Sequence, residues 1–97
     1  MDENDLLKEI LEYAQRFNPE LPRWYAGISD DPKKRLFQDH CVDQNGVWIH
    51  TGYANSEIAR KAERVLLEFY GFDGGAGGSD ADELCVYAFL KTTDTRR

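Results

Sequence analysis

Three short segments with strand character alternate with three helical segments, and this alternation constrains the fold more than any other feature of the sequence. The strand segments cover about residues 24–29, 47–51 and 84–92. A sheet of three strands is small, so helices must cover at least one of its faces to build a core. The sequence therefore predicts an α/β fold of the α+β type, in the order α-β-α-β-α-β, with one mainly antiparallel sheet flanked by helices.

Capping residues and apolar spacing place the helices. Apolar residues recur at helical spacing over about residues 4–17 and 57–70, and the sequence Asp30-Asp31-Pro32 begins a short helix that ends near His40. We expect Trp48 to be a core residue. In the last helix the predicted buried stripe consists of Ile58, Ala62, Val65, Leu66 and Phe69.

The length of 97 residues allows one domain, which we place at residues 1–97. Residues 1–22 form an N-terminal helix and connector, and residues 93–97 are expected to fray. The glycine-rich stretch 74–78 leads into a strand. Because phosphate-binding loops lead into a helix N-terminus, this stretch is interpreted as a flexible connector.

Composition excludes some classes of protein. No apolar run approaches the roughly 20 residues of a membrane span, and the acidic N-terminus is unlike a basic secretion signal. We therefore expect a cytoplasmic protein without a membrane partner. The two cysteines, Cys41 and Cys85, are expected to be reduced and mostly buried. Together with His40 and His50 they match none of the short-loop zinc patterns.

The net charge of −6 argues against a general nucleic-acid binder, whose affinity comes mainly from Lys and Arg on phosphates. The acidity is unevenly distributed. Residues 1–22 have two basic and six acidic groups, and residues 65–97 have three and six. Residues 23–64 have seven basic and six acidic groups, a charge of +1. The middle of the chain is therefore the part that can approach a polyanion.

One segment combines chemical groups suited to a phosphate. It runs from Tyr25 through Gly27 and Ser29 to Arg35 and Leu36, with Asp and Pro at the strand-to-helix turn. It resembles the second half of the signature of the GIY-YIG nuclease superfamily, in which an invariant Arg follows such a turn. Glycine lets a phosphate approach a strand, and an arginine fork can stabilise its charge.

The resemblance extends to the later helix, where the family places a metal-binding Glu before apolar residues. Glu63 occupies this position, at the rim of the apolar stripe beside Ala59, Leu66, Leu67 and Tyr70. A carboxylate beside apolar groups is a better candidate for a metal ligand than one on a solvated face. The alternative is that Glu63 only pairs with a neighbouring Arg or Lys.

The chain departs from the family pattern in two places. The family's first strand, which carries Gly-Ile-Tyr, is missing before Tyr25, and the nearest substitute is Cys85-Val86-Tyr87 in the last strand. We predict that the strand at about residues 84–92 lies beside the Tyr25 strand. The fold is then circularly permuted and Tyr87 takes the place of the general base; the alternative is that Tyr87 is a core tyrosine. Many members also place a His four residues beyond the Arg. Here His40 comes one residue later. On an α-helix this rotates its side chain by about 100° from the direction of the family's His, so we expect it not to point into the site.

The resemblance, which covers about residues 24–67, implies Mg²⁺- or Mn²⁺-dependent hydrolysis of nucleic-acid phosphodiesters. Tyr25, Arg35, Tyr87 and His40 are the candidate catalytic residues, Glu63 is the candidate metal ligand, and Gly27, Ser29 and Lys34 are the candidate substrate-binding residues. The alternative is a small acidic protein that keeps the fold without catalysis and binds a protein, a nucleotide or a nucleic acid, such as an inhibitor or adaptor encoded by a phage or a mobile element. The oligomeric state is left open.

Overall fold

A computed structural model describes residues 2–75 and 81–97, so most of the predicted glycine connector lies outside the described residues. None of the described helices is long and apolar enough to cross a membrane. The helices are α1 (Glu3–Phe17), α2 (Pro32–Lys34, continued by a π-helical turn at Arg35–Asp39) and α3 (Ser56–Glu68), with a 3₁₀ turn at Leu21–Arg23. The strands are β1 (Trp24–Ser29), β2 (Trp48–His50), β3 (Ala54–Asn55) and β4 (Glu83–Leu90).

Strand β4 lies at the centre of an antiparallel sheet in the order β1-β4-β2. Gly27 of β1 pairs with Tyr87 of β4, so the prediction that the last strand lies beside the Tyr25 strand is confirmed. The short strand β3 also pairs with β4 and was not predicted. Two residues carry too little pattern to identify a strand. The fold is α+β, as expected.

Side-chain caps begin the helices at the predicted places. Asp2 and Asp5 form a reciprocal capping box at the start of α1. Asp31 accepts a hydrogen bond from the backbone N–H of Lys34, and Asn55 accepts one from that of Ile58. Each bond satisfies a backbone donor that the first helical turn leaves without a partner. The caps thus fix where α2 and α3 leave the sheet.

Helices α1 and α3 cover one face of the sheet. Strands β1 and β4 each contribute alternate residues to this face, because successive side chains of a strand point to opposite faces of the sheet. The main core consists of Leu6, Ile10 and Ala14 of α1, Ala59, Ala62 and Leu66 of α3, Trp24, Ala26 and Ile28 of β1, and Leu84, Val86 and Ala88 of β4, together with Ala54 and Phe72.

The buried residues of α3 differ from the predicted apolar stripe, and one predicted residue is exposed. Phe69 is 78% exposed and follows the last helical residue, Glu68. The buried residues of α3 are Ala59, Ala62 and Leu66, so the helix is rotated toward the side on which Glu63 lies. Trp48 is only partly buried, and its indole N–H donates to the carbonyl of Gln44.

A second, smaller cluster lies on the opposite face of the sheet. It consists of Tyr25, Leu36, Val42, Tyr87 and Phe89, with Phe37 and Trp48 packed against it. The π-helical turn after α2 supplies Leu36 to this cluster. Aromatic and aliphatic side chains therefore fill the face that neither long helix covers. The four candidate catalytic residues belong to this cluster or border it, and the candidate metal ligand Glu63 does not.

Two smaller expectations also differ from the structure. Cys85 is buried, but Cys41 is exposed, with a backbone φ of 56°; both are free thiols. Residues 93–97 make more contacts than fraying implies. The backbone N–H of Arg96 donates to the carbonyl of His40 at 2.7 Å, and Arg97 Nε lies 3.0 Å from a carboxylate oxygen of Asp73.

Candidate functional site

The pairing of β1 with β4 brings the two candidate tyrosines onto one face. Tyr25 pairs with Phe89, and Tyr87 lies two residues away on β4, opposite Gly27. The Tyr25 ring stacks on Phe89 with ring centroids 5.2 Å apart. Both tyrosines are buried, at 6% and 1% exposure. Burial raises the pKa of Tyr87 to about 12 and also raises the pKa of Tyr25. Both phenols are therefore protonated at neutral pH.

Gly27 makes room for Tyr87. A Cβ at this position would overlap the Tyr87 side chain, coming within 2.5 Å of the ring carbon that bears the hydroxyl. The glycine is therefore needed for the tyrosine to lie flat across β1. Its expected contact with a phosphate remains a prediction. Gly75 likewise lies beside Tyr25, since a Cβ there would come within 3.0 Å of the Tyr25 hydroxyl.

His40 lies within the site, contrary to the misdirection expected from its spacing. It is 3% exposed, and its Nε2 is 2.8 Å from the Tyr87 hydroxyl. The His40 ring also packs against Tyr25, with centroids 4.8 Å apart, and against Phe89, at 5.0 Å. Burial lowers the pKa of His40, so the ring is neutral at pH 7.

The π-helical turn explains why the prediction for His40 failed. The backbone N–H of His40 donates to the carbonyl of Arg35, five residues earlier, at 2.9 Å. In a π-turn residue i+5 takes the place that residue i+4 has in an α-helix. The extra residue between Arg35 and His40 is therefore absorbed by the backbone, and both side chains reach Tyr87.

Arg35 lies at the open end of the site. Its Nε is 3.4 Å from Asp39 Oδ2, and this shielded nitrogen makes no hydrogen bond. A hydrogen-bonding interaction with Tyr87 raises the pKa of Arg35, so the guanidinium stays charged. Arg35 lines an open cleft of about 370 Å³ together with Ile28, Ser29, Asp30, Asp31, Lys34 and Asp39.

The other candidate substrate-binding residues have different environments. Ser29 is buried, and its Oγ accepts a hydrogen bond from the backbone N–H of Asp31 at 2.9 Å. Its hydroxyl therefore shapes the turn between β1 and α2. Lys34 is exposed and lines the same cleft as Arg35. Of the two, Lys34 is the one that can meet a phosphate from solvent.

Glu63 approaches the tyrosines from the helix on the other side of the sheet. Burial raises the pKa of its carboxyl to about 7, and Arg60 opposes this rise. The Glu63 charge also raises the pKa values of Tyr25 and Tyr87. It therefore lies within electrostatic reach of both. Glu63 lines a separate open cleft with Arg60, Arg64, Leu67 and Glu68 and does not share the cleft of Arg35.

Two contributors to the site were missed from the sequence. Phe89 supplies the apolar wall on which Tyr25 and His40 pack, and the carbonyl of Arg96 lies 2.7 Å from His40 Nδ1. The alternation along β4 could have identified Phe89, because it is two residues from Tyr87 on the same face. A backbone carbonyl carries no sequence signal, so Arg96 could not have been found.

No family model matches the chain, and neither a curated protein nor a solved structure matches it either.

Proposed function

We propose that the chain is a divalent-metal-dependent phosphodiester hydrolase that acts on nucleic acid in the cytoplasm, as a circularly permuted relative of the GIY-YIG nucleases. The observation that carries the proposal is the convergence of Tyr25, Arg35, His40 and Tyr87 on one face of the sheet. β4 would take the place of the missing first strand, with Tyr87 opposite Gly27.

The hydrogen bond between Tyr87 and His40 supports a proton relay. With a pKa near 12, Tyr87 is a poor base by itself, because at neutral pH it is protonated. His40 is neutral, and its Nε2 lies 2.8 Å from the Tyr87 hydroxyl, close enough to take the phenolic proton. In the relay a water oxygen bonds to phosphorus, the water proton passes to the Tyr87 oxygen, and the tyrosine proton passes to His40. The ester bond breaks, and the leaving alkoxide takes a proton from solvent.

Arg35 supplies the positive charge that the relay needs. Its guanidinium interacts with Tyr87 and faces the cleft that holds Lys34. A charge in this position stabilises negative charge on the tyrosine oxygen as the water attacks. It also stabilises the additional negative charge on the phosphate oxygens. Asp39 holds the guanidinium from the other side, with 3.4 Å between Arg35 Nε and Asp39 Oδ2.

Glu63 fits a divalent ion that is completed by substrate. Among residues 2–75 and 81–97, no three His, Cys, Asp or Glu side chains form a metal-binding group. Mg²⁺, however, commonly binds through one or two carboxylates together with water and substrate phosphates. The Glu63 carboxyl is a partly buried group whose ionised form lacks solvation, which a bound cation relieves. Where a substrate phosphate reaches this cleft, Mg²⁺ or Mn²⁺ held by Glu63 would supply Lewis-acid stabilisation of its charge.

A second candidate function is binding without catalysis. The lining of the cleft beside Arg35 favours it, because Asp30, Asp31 and Asp39 outnumber the two cationic residues there. Three carboxylates repel a polyanion, and the net charge of −6 adds to this repulsion. In this role the chain is a small acidic inhibitor or adaptor for a protein partner.

Cleavage assays separate the two candidates. Purified protein is incubated with branched, single-stranded and duplex DNA and RNA, each with Mg²⁺ or Mn²⁺. Arg35→Ala and Glu63→Gln should each lower the cleavage rate by about a hundredfold or more, because each removes a preorganised charge. Glu57→Gln is the matched control on the same helix. Glu57 is exposed and pairs with the exposed Lys61, so the Glu57→Gln variant should cleave at the wild-type rate.

Two outcomes contradict the proposal. Cleavage that persists unchanged in Glu63→Gln points to a contaminating nuclease. An intact substrate panel with either metal, together with capture of a protein partner, moves the assignment to the binding protein.

A further inference from the structure

The segment after β4, residues 91–97, folds back onto His40. Its backbone makes a turn in which the N–H of Thr95 donates to the carbonyl of Thr92 at 3.3 Å. Beyond the turn, Arg96 N–H donates to the His40 carbonyl at 2.7 Å. Lys91 Nζ and Arg97 Nε both contact Asp73, at 3.1 and 3.0 Å. The segment is therefore held at both of its ends.

A further hydrogen bond from this segment reaches the His40 ring itself. His40 Nδ1 lies 2.7 Å from the backbone carbonyl oxygen of Arg96. A carbonyl oxygen can only accept a hydrogen bond, so Nδ1 must carry a proton. In a neutral imidazole the other nitrogen is then unprotonated. Nε2 can thus only accept, and the Tyr87 hydroxyl at 2.8 Å must be the donor.

We propose that the backbone carbonyl of Arg96 is a positioning group of the site, which fixes the His40 tautomer and so aims the Tyr87 proton at His40. This inference rests on the proposed hydrolase function. Arg96 touches neither substrate nor the reacting atoms, and it acts through His40. Its role parallels that of the acceptor that holds the catalytic histidine in a hydrolase triad.

The opposite tautomer would disable the relay. If Nε2 carried the proton, it would donate to the Tyr87 oxygen, and the phenolic proton would have no acceptor on His40. Among the described residues, the titratable side chains that face His40 from other elements are Tyr25 of β1 and Tyr87 of β4. Arg35 and Asp39 belong to its own helical segment. None of these four side chains accepts the hydrogen bond that Nδ1–H donates, because that bond goes to the Arg96 carbonyl.

The test compares a chain that ends at Thr95 with the double variant Arg96→Ala/Arg97→Ala. Both lose the same two positive charges, but the double variant keeps the backbone carbonyl. ¹⁵N NMR of the imidazole, run without substrate, reports which nitrogen of His40 carries the proton. Wild type and the double variant should be protonated at Nδ1, and the shortened chain should lose this preference.

Kinetics supply a second readout. The hydrogen bond to Arg96 raises the pKa of His40 against the effect of burial. The shortened chain should therefore show its acidic loss of activity at lower pH than the double variant. Its kcat/KM should fall by about tenfold or more, a part of what a general base contributes. Thermal unfolding verifies that both variants remain folded.

The outcomes separate this inference from the proposed function. Protonation of wild-type His40 at Nε2 overturns the positioning role even if the protein cleaves nucleic acid, and so does an unchanged tautomer and rate in the shortened chain. Absence of cleavage, with Nδ1 protonated and the preference lost on shortening, overturns the hydrolase while the role of Arg96 in fixing His40 holds. If the shortened chain fails to fold, the wild-type tautomer alone decides.

Discussion

At the scale of single residues, Glu63 joins the stability of the fold to its proposed chemistry. Its carboxyl has a pKa near 7 in the folded chain against 4.5 for an ordinary glutamate, because burial penalises the charged form. A raised folded-state pKa contributes most stability below pH 4.5, and that contribution is lost as the pH rises through 7. The same ionised carboxylate is what a metal ion requires. The fold thus tolerates an unfavourable charge at the position where the proposal needs one.

This linkage predicts the pH dependence of a neutral substitution. In the presence of a chelator, Glu63→Gln should be more stable than wild type above pH 7, by at most about 3 kcal/mol, and equal to it near pH 4.5. Chemical denaturation across this pH range measures the difference. Glu57→Gln, on the exposed face of the same helix, should stay within about 0.5 kcal/mol of wild type at every pH. If the difference in stability between Glu63→Gln and wild type did not change with pH, the Glu63 carboxyl would not be buried as described.

The residues of the site were predictable in kind more than in geometry. Tyr25, Arg35 and Tyr87 were identified as candidates from the sequence, and the structure places them together. His40 was also identified as a candidate, but its side chain was expected to point away from the site. That expectation failed because the direction of the side chain depends on a π-turn. Residue propensities do not predict a single π-turn, because tertiary contacts of Leu36 and His40 offset its cost in free energy.

At the scale of elements, the boundaries of α3 show how an apolar pattern can mislead. Phe69 continues the apolar spacing, so the sequence placed it in the stripe. The helix ends at Glu68 instead, and the chain turns through Gly71, whose φ of +80° suits glycine. Phe69 therefore leaves the helical face and is exposed. The stripe that remains is carried by Ala59, Ala62 and Leu66.

A pair of substitutions in α3 tests this register. Leu66→Ala should destabilise the protein by about 2–5 kcal/mol, because it opens a cavity at a fully buried position. Phe69→Ala should cost less than about 0.5 kcal/mol, because its ring is mostly in solvent. Urea denaturation of both variants measures the contrast. Similar losses for the two would show that the helix is rotated relative to the described register.

The π-turn offers a second test at this scale. Gln38 is exposed and lies within the turn, so its deletion removes one residue without removing a core contact. An α-turn would then place the histidine four residues after Arg35, facing Tyr87 as before. We expect the deletion variant to keep or gain stability and to retain the His40–Tyr87 hydrogen bond, which NMR of the imidazole detects. Loss of that bond would mean that the π-turn is needed for the site rather than tolerated by it.

At the scale of the whole molecule, the position of β4 in the sheet determines which residues meet at the site. The sheet order was predicted in part, since the last strand was placed beside the Tyr25 strand. β4 also pairs with β2 and with the unpredicted β3, which makes it the centre of the sheet. Two residues of β3 and the backbone contacts of residues 93–97 depend on tertiary structure, so local pattern could not reveal them. With β4 at the centre, Tyr87 lies against Gly27 of β1 and His40 after the π-turn, and the segment after β4 holds His40 in place.

In this arrangement Tyr87 is the group that we expect to receive the proton of the attacking water. Tyr87→Phe keeps the ring over Gly27 and removes only the hydroxyl that meets His40 and Arg35. Tyr13→Phe is the matched control, because Tyr13 packs against the core on the other side of the sheet. The most direct measurement is single-turnover cleavage with Mn²⁺ by wild type and both variants. We expect a loss of about a hundredfold or more for Tyr87→Phe and an unchanged rate for Tyr13→Phe. Tyr87→Phe should also lose about 1–3 kcal/mol of stability, because His40 Nε2 loses its buried hydrogen-bond donor, but it should remain folded. Cleavage by Tyr87→Phe at the wild-type rate would contradict this role of Tyr87.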